Sequence, residues 1–515
     1  MTRVVVVGNG MVGSRFVDEL LAADHASRFD ITVLGAESCE PYNRVLLSEV
    51  LAGRYDLAAL TLPSPDHHRL QVLRGVAAER IDREDRVVVG ADRSRHRYDH
   101  LVLATGSSAR IPLLRGLGHA DTLPAGVHAL RTIDDAREIV AGTLNARRAV
   151  VLGAGVLGLE AACGLARRGV AVTVIHPASA VMERQLDEAA SRVVETAMGR
   201  LGIDHRIGIG AEAVVVDSGG LRGVRLEDGE LVDAQLLVLT TGTVANTALA
   251  VDSGLATDRG ILVGAGLDSP TDRRVYAIGD CAQPAEGGSG LVAQGWEQAR
   301  RLAARLAGSG DAAAGPSGDG PLAGQPSSTD VVRLKADGLD VVSMGVSGAH
   351  RAADPAHRTL RLSDPDLGRH VEVVISGGAL VGATCVGAGS VAADLVAMYT
   401  RRTPLPADPA YLLLPALAGQ ATPGPADPAT LPPEATVCRC NAVTKADITG
   451  SVDDGADSVE DVARATRATT GCGGCADDVC ALLHWLRDSR APHADGENRF
   501  TQGKHRTNTT EIAAL

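Results

Sequence analysis

Two stretches of this chain share one order of apolar and polar positions. The first, VVVVGNGMVG, is an apolar run that ends in Gly8-x-Gly10-x-x-Gly13, continues into a helical pattern and reaches a second apolar run, ITVL, at residues 31–34. The second, at 149–175, reads AVVLGAGVLG, then a helix predicted through Glu160 to Arg168, then VAVTVI. A short apolar run bounded by glycine is the pattern of a strand buried on both faces, and strand, glycine turn and helix in that order predict a βαβ unit. Two such units predict two nucleotide-binding domains, the second inserted into or following the first. Two more buried-strand patterns, LVLATGS at 101–107 and LLVLTTG at 236–242, each contain or end in Thr-Gly, at Thr105-Gly106 and at Gly242. TDRRVYAIGD ends another strand at Asp280, and from residue 294 a helical pattern, QGWEQARRLAARLAG, runs to Gly308.

Beyond Gly308 the pattern changes. Residues 309–328 are rich in Gly, Pro and Ser and predict a flexible linker after a first module at 1–308, whose second nucleotide-binding subdomain spans about 125–245. Residues 329–402 carry short alternating runs, VVRLKA, LDVVSMGV, RTLRLS and HVEVVISGGALVGATCV, then the helical GSVAADLVAMYT, which together predict a small α+β domain. A Pro-rich linker is expected at 403–436, a cysteine-bearing domain at 437–487 and a disordered polar tail at 488–515.

Composition narrows the function classes. The 515 residues, 45% of them apolar, exceed what one hydrophobic core supports and describe an ordinary multidomain globular protein. No apolar run approaches the roughly 20 residues of a membrane helix, and the opening run is too short for a signal peptide, so a cytoplasmic location is expected. A net charge of −13 without a Lys/Arg-rich run argues against nucleic acid as a partner. Five of the nine cysteines, Cys39, Cys163, Cys281, Cys385 and Cys480, are scattered, unlike a secreted disulfide framework.

The remaining four form Cys438-x-Cys440 and Cys472-x-x-Cys475, two close pairs about thirty residues apart. Thiolates at such spacing ligate soft metals, either an iron–sulfur cluster or zinc. The single residue inside the first pair and the glycine-rich GCGGC around the second favour a [2Fe-2S] cluster, because glycine lets backbone amides approach the sulfurs. Cys480 is read as structural. In each βαβ unit the glycines permit a tight turn and bring backbone amides at the helix N-terminus to a pyrophosphate. The acidic residue expected about 20 residues on is displaced in both: after Gly35 the nearest carboxylate is Glu37, and the second strand ends at His176, which leaves NADH against NADPH open. Asp280, at a strand end, can accept hydrogen bonds from a sugar-alcohol chain such as the ribityl of FAD.

Residues 1 to about 307, with GNGMVGSRFVDEL, EPYNRVLLSEVLAG, LVLATGS, VLGAGVLGLEAA, MERQLD, VYAIGDCA and GLVAQGWEQAR, resemble the flavin half of assimilatory NAD(P)H-nitrite reductases and the electron-transfer subunits of assimilatory nitrate reductases. Residues 437 to about 486, VCRCNAVTKADI to TGCGGCADDVCALL, resemble the [2Fe-2S] domain of bacterioferritin-associated ferredoxin. The resemblance implies an α/β flavoprotein of the glutathione-reductase class, with two dinucleotide-binding domains, a small α+β domain and a small helical cluster domain. It implies Gly8, Gly10 and Gly13 at the FAD pyrophosphate, Arg44 and Arg131 beside the FAD, Ala78 at the adenine by backbone contact, Thr105 and Gly106 at the domain junction, and Asp280 at the ribityl chain. For NAD(P)H it implies Gly153, Gly155 and Gly158 in the loop, Glu160 near the nicotinamide and His176 near the adenosine ribose; Cys438, Cys440, Cys472 and Cys475 bind the cluster. Two departures stand out. Glu49 follows Leu47-Ser48 where related reductases often carry a lysine, and Cys39 stands alone where disulfide reductases have a cysteine pair.

The function expected is hydride transfer from NAD(P)H to FAD and single-electron transfer to the cluster, with no side-chain acid or base required. Full-length nitrite reductases continue into a sirohaem half that this chain lacks, so the expected acceptor is a molybdenum nitrate reductase catalytic subunit or, second, a separate sirohaem nitrite reductase component. A ferredoxin or rubredoxin reductase is the enzyme alternative, and a redox-sensing or iron-trafficking module the alternative of another class.

Overall fold

In the computed structural model, which describes residues 1–118, 122–217, 220–285, 287–308, 330–348, 354–417, 428–438, 441, 443–471 and 474–490, the opening apolar run forms the central strand of a five-stranded parallel sheet. The order is Val275–Ala277, His100–Leu103, Thr2–Val7, Phe29–Gly35, Leu70–Arg74. Val4 to Val7 lie opposite Ile31 to Leu34 on one side and His100 to Leu103 on the other, and all four valines are buried. Each contributes about 1.5–3 kcal/mol by leaving water, which is why the run carries no polar alternation. The helix Met11–Ala23 packs against the helix Val292–Leu306, which begins two residues before the predicted start because Val292 packs with Met11, Leu62 and Trp296.

The second unit repeats this architecture. Its parallel sheet runs Ile203–Ile207, Ala171–His176, Arg148–Leu152, Leu236–Leu239, Val127–Ala129. Each unit also carries a three-stranded antiparallel sheet, Ala78–Asp82, Val87–Gly90, Arg95–Arg97 in the first and Ala211–Asp217, Gly220–Leu226, Leu231–Asp233 in the second. Because Val275–Ala277 returns to pair with His100–Leu103, the second unit is inserted into the first. The two crossings between them, Ser107–Ala109 and Thr243–Ala245, pair antiparallel. This is the two-dinucleotide-binding flavoprotein fold.

Residues 332–401 form an antiparallel sheet, Val332–Ala336, Leu339–Gly345, Ala379–Val386, Arg369–Ser376, Arg358–Asp364, followed by the helix Gly389–Arg401. The stretch HVEVVISGGALVGATCV is two strands, turned at Gly377 and Gly378, both at positive φ. Leu334, Leu339, Val341 and Val386 join the core of the second unit, so this domain is wedged against it. Part of the Pro-rich segment is folded: Pro409–Leu412 is a 3-10 turn and Leu414–Leu417 a short helix, with Leu405, Leu412, Leu413 and Ala416 packed on the domain core.

The last domain is a hairpin, Thr436–Cys438 with Val443–Thr444, and three helices, Lys445–Asp453, Val459–Thr466 and Ala476–Arg490, around Ile448, Val462, Val479 and Leu482. Thr444 and Asp447 form a capping box on the first of these helices, and Ser458 caps the second. The third continues past residue 487. The expected linker at 309–328 and the tail from 491 lie outside the described residues. No helix of the described residues is long and apolar enough to cross a membrane.

Candidate functional site

The two glycine loops are near copies. Gly8 has φ +112° and Gly153 φ +115°, both in the region that favours glycine, and a Cβ on either would strike a carbonyl oxygen, of Ala104 at 2.2 Å or of Thr240 at 2.5 Å. A Cβ on Gly13 would lie 2.0 Å from the Gly8 oxygen, and on Gly158 1.9 Å from the Gly153 oxygen, so the helix can close on the loop only if these positions are glycine. Gly10 and Gly155 face open space, where a ligand approaches the backbone.

A cavity of about 1280 Å³ opens from the first loop. It is lined by Gly8, Gly10, Glu37, Arg44, Ala78, Thr105, Gly106, Arg131 and Asp280, so residues from across the chain's first 280 positions converge on one hollow. Arg131 spans its floor: Nη2 donates to Asp280 Oδ2 at 2.9 Å and to Ser107 Oγ at 2.6 Å, and Nε donates to the Ser107 carbonyl. Arg44 stacks over the Tyr42 ring at 4.8 Å and donates to Glu37 Oε1 at 2.5 Å. Tyr42 also donates to Glu37, and burial pushes its phenol well above the usual range. Gly106 has φ +67° with nothing near its absent Cβ, so the cradle is open there too. Asn246, which the sequence pattern did not single out, fixes the crossing: its Nδ2 donates to the Thr105 carbonyl at 2.8 Å while Thr105 Oγ1 donates to its own carbonyl. Paired charges at Arg131 and Asp280, a helix N-terminus and a hollow of this volume suit a long anionic nucleotide such as FAD. Cys39 also lines the hollow, with its thiol raised by burial and by the Glu37 charge, and it has no disulfide partner.

The second loop lies outside this cavity. His176, at the end of its strand, accepts the Ala154 amide on Nδ1 at 3.3 Å, so Nε2 carries a proton and donates to Glu183 Oε2 at 3.1 Å. A carboxylate therefore stands at the strand end after all, supplied seven residues later from within MERQLD and held by the imidazole. Gly242, at φ +95°, sits at the second crossing, where its carbonyl accepts the Arg110 amide. Glu160, 3% exposed, is tied at both oxygens: Ser48 Oγ donates to Oε2 at 2.6 Å, and the Lys335 amide and Nζ donate to Oε1 at 3.0 and 2.9 Å. Lys335 belongs to the α+β domain, so Glu160 joins three modules. Glu49 is buried and pairs with Arg54 at 3.0 Å. Position 49, where the resemblance places a lysine, thus carries a carboxylate held by Arg54, and the lysine on Glu160 is Lys335, which has no local sequence signal.

Of the four predicted cluster ligands, Cys440 and Cys472 lie outside the described residues. Cys438 and Cys475 are both buried and adjacent: the Cys438 thiol is drawn down to about 6 by the hydrogen bond from Cys475, with the Asn441 and Thr469 amides assisting. Two neighbouring sulfurs ringed by backbone donors fit a thiolate-ligated cluster. Cys480, on the helix Ala476–Arg490, is a free thiol. The cysteine loops meet the flavin-side module along a polar seam. Asn43 Nδ2 donates to the carbonyls of Thr470 and Gly471 at 2.8 and 2.7 Å, Arg15 Nη1 donates to Asn441 Oδ1 at 2.9 Å, and Arg467 pairs with Asp18. Burial, with Arg15 nearby, lowers the Arg467 guanidinium to about 10.

Residues 2–301 match the pyridine nucleotide-disulphide oxidoreductase family and residues 436–485 the BFD-like [2Fe-2S] binding domain. Similar curated proteins include nitrite reductase [NAD(P)H] of Bacillus subtilis, 33% identical over 93% of this chain and 57% of that protein. The assimilatory nitrate reductase electron transfer subunit of the same organism is 31% identical over 95% of this chain and 60% of its own length. The chain thus spans about three-fifths of these relatives. Among solved structures, the covalent putidaredoxin reductase–putidaredoxin complex superposes with a TM-score of 0.68 at 24% identity, covering 80% of this chain and 95% of that one, a likeness of fold.

Proposed function

We propose the following function for a chain that belongs to the pyridine nucleotide-disulphide oxidoreductase family and carries a BFD-like [2Fe-2S] binding domain. It is an NAD(P)H-dependent flavin oxidoreductase of the cytoplasm that takes electrons in pairs and exports them singly, serving as the electron-transfer component for an assimilatory nitrate reductase. FAD, when bound, would supply hydride acceptance from NAD(P)H together with single-electron donation to a [2Fe-2S] cluster. The chain's own residues bind, orient and exclude water. The loop of Gly8, Gly10 and Gly13 brings the unpaired amides at the helix N-terminus to the FAD pyrophosphate, Arg44 and Ala78 hold its adenosine end with Glu37 at the ribose, and Asp280, fixed by Arg131, accepts from the ribityl hydroxyls. Thr105, Gly106 and Gly242 shape the junction between the nucleotides. Gly153, Gly155 and Gly158 hold the NAD(P)H pyrophosphate, Glu160 lies on the nicotinamide side, and His176 with Glu183 serves the adenosine ribose. Cys438, Cys440, Cys472 and Cys475 ligate the cluster.

The observation that carries this reading is the matched closure of the two glycine loops, Gly13 on Gly8 and Gly158 on Gly153, in units joined at paired crossings. The acceptor in this reading is a molybdenum nitrate reductase catalytic subunit first and a sirohaem nitrite reductase component second. A reductase serving a small ferredoxin or rubredoxin draws on the flavin fold alone and leaves the cysteine domain without work. Anaerobic titration with NADH and NADPH is expected to bleach a flavin band and then give a reduced-cluster electron paramagnetic resonance signal. Nitrate reduction is expected only when a molybdenum subunit is added. A flavin that bleaches while the cluster stays oxidised supports a sensing or iron-trafficking module instead.

A further inference from the structure

The seam between the cysteine domain and the flavin-side module is built from the cysteine loops themselves. Thr470 and Gly471 immediately precede Cys472, and Asn441 immediately follows Cys440. Their partners come from segments that shape the large cavity: Asn43 stands between Tyr42 and Arg44, which both line it, and Arg15 is on the helix that opens at Gly10. Asn43 is only 2% exposed, and both of its amide hydrogens are spent on the loop carbonyls. Its Oδ1 is used as well, accepting the Val45 amide at 3.1 Å to cap the turn Arg44–Leu46. Asn441 completes the link on the other loop. It receives Arg15 on Oδ1 and donates through Nδ2 to the Arg467 carbonyl at 2.6 Å, to Thr470 Oγ1 at 3.2 Å and toward Cys438 Sγ at 3.8 Å. The Cys475 side of the domain faces the same module: Glu49, Asp477 and Cys475 all lie within electrostatic reach of the half-buried Tyr55.

We infer that Asn43 is a positioning residue that clamps the cysteine-ligand loops, and so the metal-binding end of the domain, to the wall of the flavin cavity, fixing the route of electron exit. This inference rests on the proposed function. A buried side chain that satisfies two carbonyls and one amide holds its neighbours in one geometry, and leaving those carbonyls unpaired is costly. The clamp acts on position alone. The electrons balance as one hydride in from NAD(P)H, two single electrons out to an external one-electron acceptor, and one proton to water.

The test is Asn43→Asp in the full-length, flavin- and iron-loaded protein. Aspartate keeps the oxygen that caps Arg44–Leu46 and loses both donors to the loop. The expected result is cluster reduction, followed by rapid-freeze electron paramagnetic resonance, slowed severalfold, because a loosened loop lengthens the separation that the electron must cross. A changed cluster signal or midpoint potential is expected with it, as is faster proteolytic cleavage in the segment 428–436. Arg15→Met, on the other half of the seam, is expected to change the same readouts in the same direction and by less. Cluster reduction at the wild-type rate with an unaltered potential in Asn43→Asp overturns the inference. Should that variant fail to retain flavin, Asn43→Ser, which can still cap the turn but cannot reach the loop, decides by the same criteria. A wild-type protein whose flavin is not bleached by NAD(P)H refutes the proposed function instead; in that case equal proteolysis of wild type and variant refutes the clamp separately.

Discussion

The two nucleotide units agree almost atom for atom at their glycine loops and differ at the far end of the strand that follows. In the first, Glu37 is held by Arg44 and Tyr42 on the wall of a deep cavity. In the second, the strand end is His176, and the carboxylate arrives from Glu183 through the imidazole, outside that cavity. Backbone geometry is thus repeated in the two loops, while the charged side chains at the two strand ends are assembled differently. The repeated part is backbone conformation; the differing part is which side chain reaches the carboxylate, Arg44 and Tyr42 in one unit and His176 in the other.

The largest effect expected comes from breaking the common part on one side at a time. Gly13→Ala is expected to yield protein without bound flavin, whereas Gly158→Ala keeps the yellow chromophore and loses its bleaching by NAD(P)H, each at a stability cost of about 1–3 kcal/mol from overpacking. Flavin content and nucleotide titration read both outcomes, and variants with the same phenotype would show that the loops do not serve separate nucleotides. Next comes the junction. Lys335→Met removes the ammonium from the buried Glu160 carboxylate, and the unfolding free energy is expected to fall by about 3 kcal/mol in denaturant titration. A loss below a third of that would mean that Ser48 and the Lys335 amide suffice.

A smaller effect separates the strand ends. Glu183→Gln is expected to lower kcat/KM for NADH about tenfold, through a weakened hydrogen bond to the ribose hydroxyl, and to leave NADPH nearly unaffected. Equal losses with both nucleotides would remove Glu183 from the site. Smallest is the pair at the strand starts of the first sheet, Arg3 with Asp99 at 3.0 Å, which is partly exposed and screened by water. The hydrogen bond from the Arg3 side chain, with the Arg3 amide, holds the Asp99 carboxyl at about 2. Its folded value is below its unfolded one, so the contribution is complete above the ordinary carboxylate range and is lost as pH falls from about 4 toward 2. Acid unfolding curves of wild type and Asp99→Asn are expected to converge in that window.

Much of the fold is legible because its signals are short-range. The valines at 4–7 and the LLVL at 236–239 read as strands buried on both faces, since parallel strands covered by helices leave no face for polar residues. The hairpin inside HVEVVISGGALVGATCV is less legible, because Gly377-Gly378 in an apolar run fits a bulge as well as a turn. The folded part of the Pro-rich segment is hidden for another reason: proline content predicts an extended linker, and only Leu412 and Ala416 meeting the neighbouring core decide otherwise. At the site, the glycines and the cysteine pairs are visible through spacing, whereas Asn246 and Lys335 stand in no pattern of their own, and Asn43 and Glu183 lie inside EPYNRVLLSEVLAG and MERQLD with no sign there of their partners.

What the sequence by itself determines here is backbone conformation and ligand type. Glycine is the only residue that tolerates a carbonyl 2 Å from where a Cβ would be, and two close cysteine pairs are a statement about thiolates wherever they fold. What tertiary structure alone decides is which partners neutralise the buried charges and hold the modules together. Lys335 reaches Glu160 across 175 positions and Asn43 reaches Thr470 across 427. A hydrogen bond depends on distance and angle in space, and at those separations chain spacing carries no information about either.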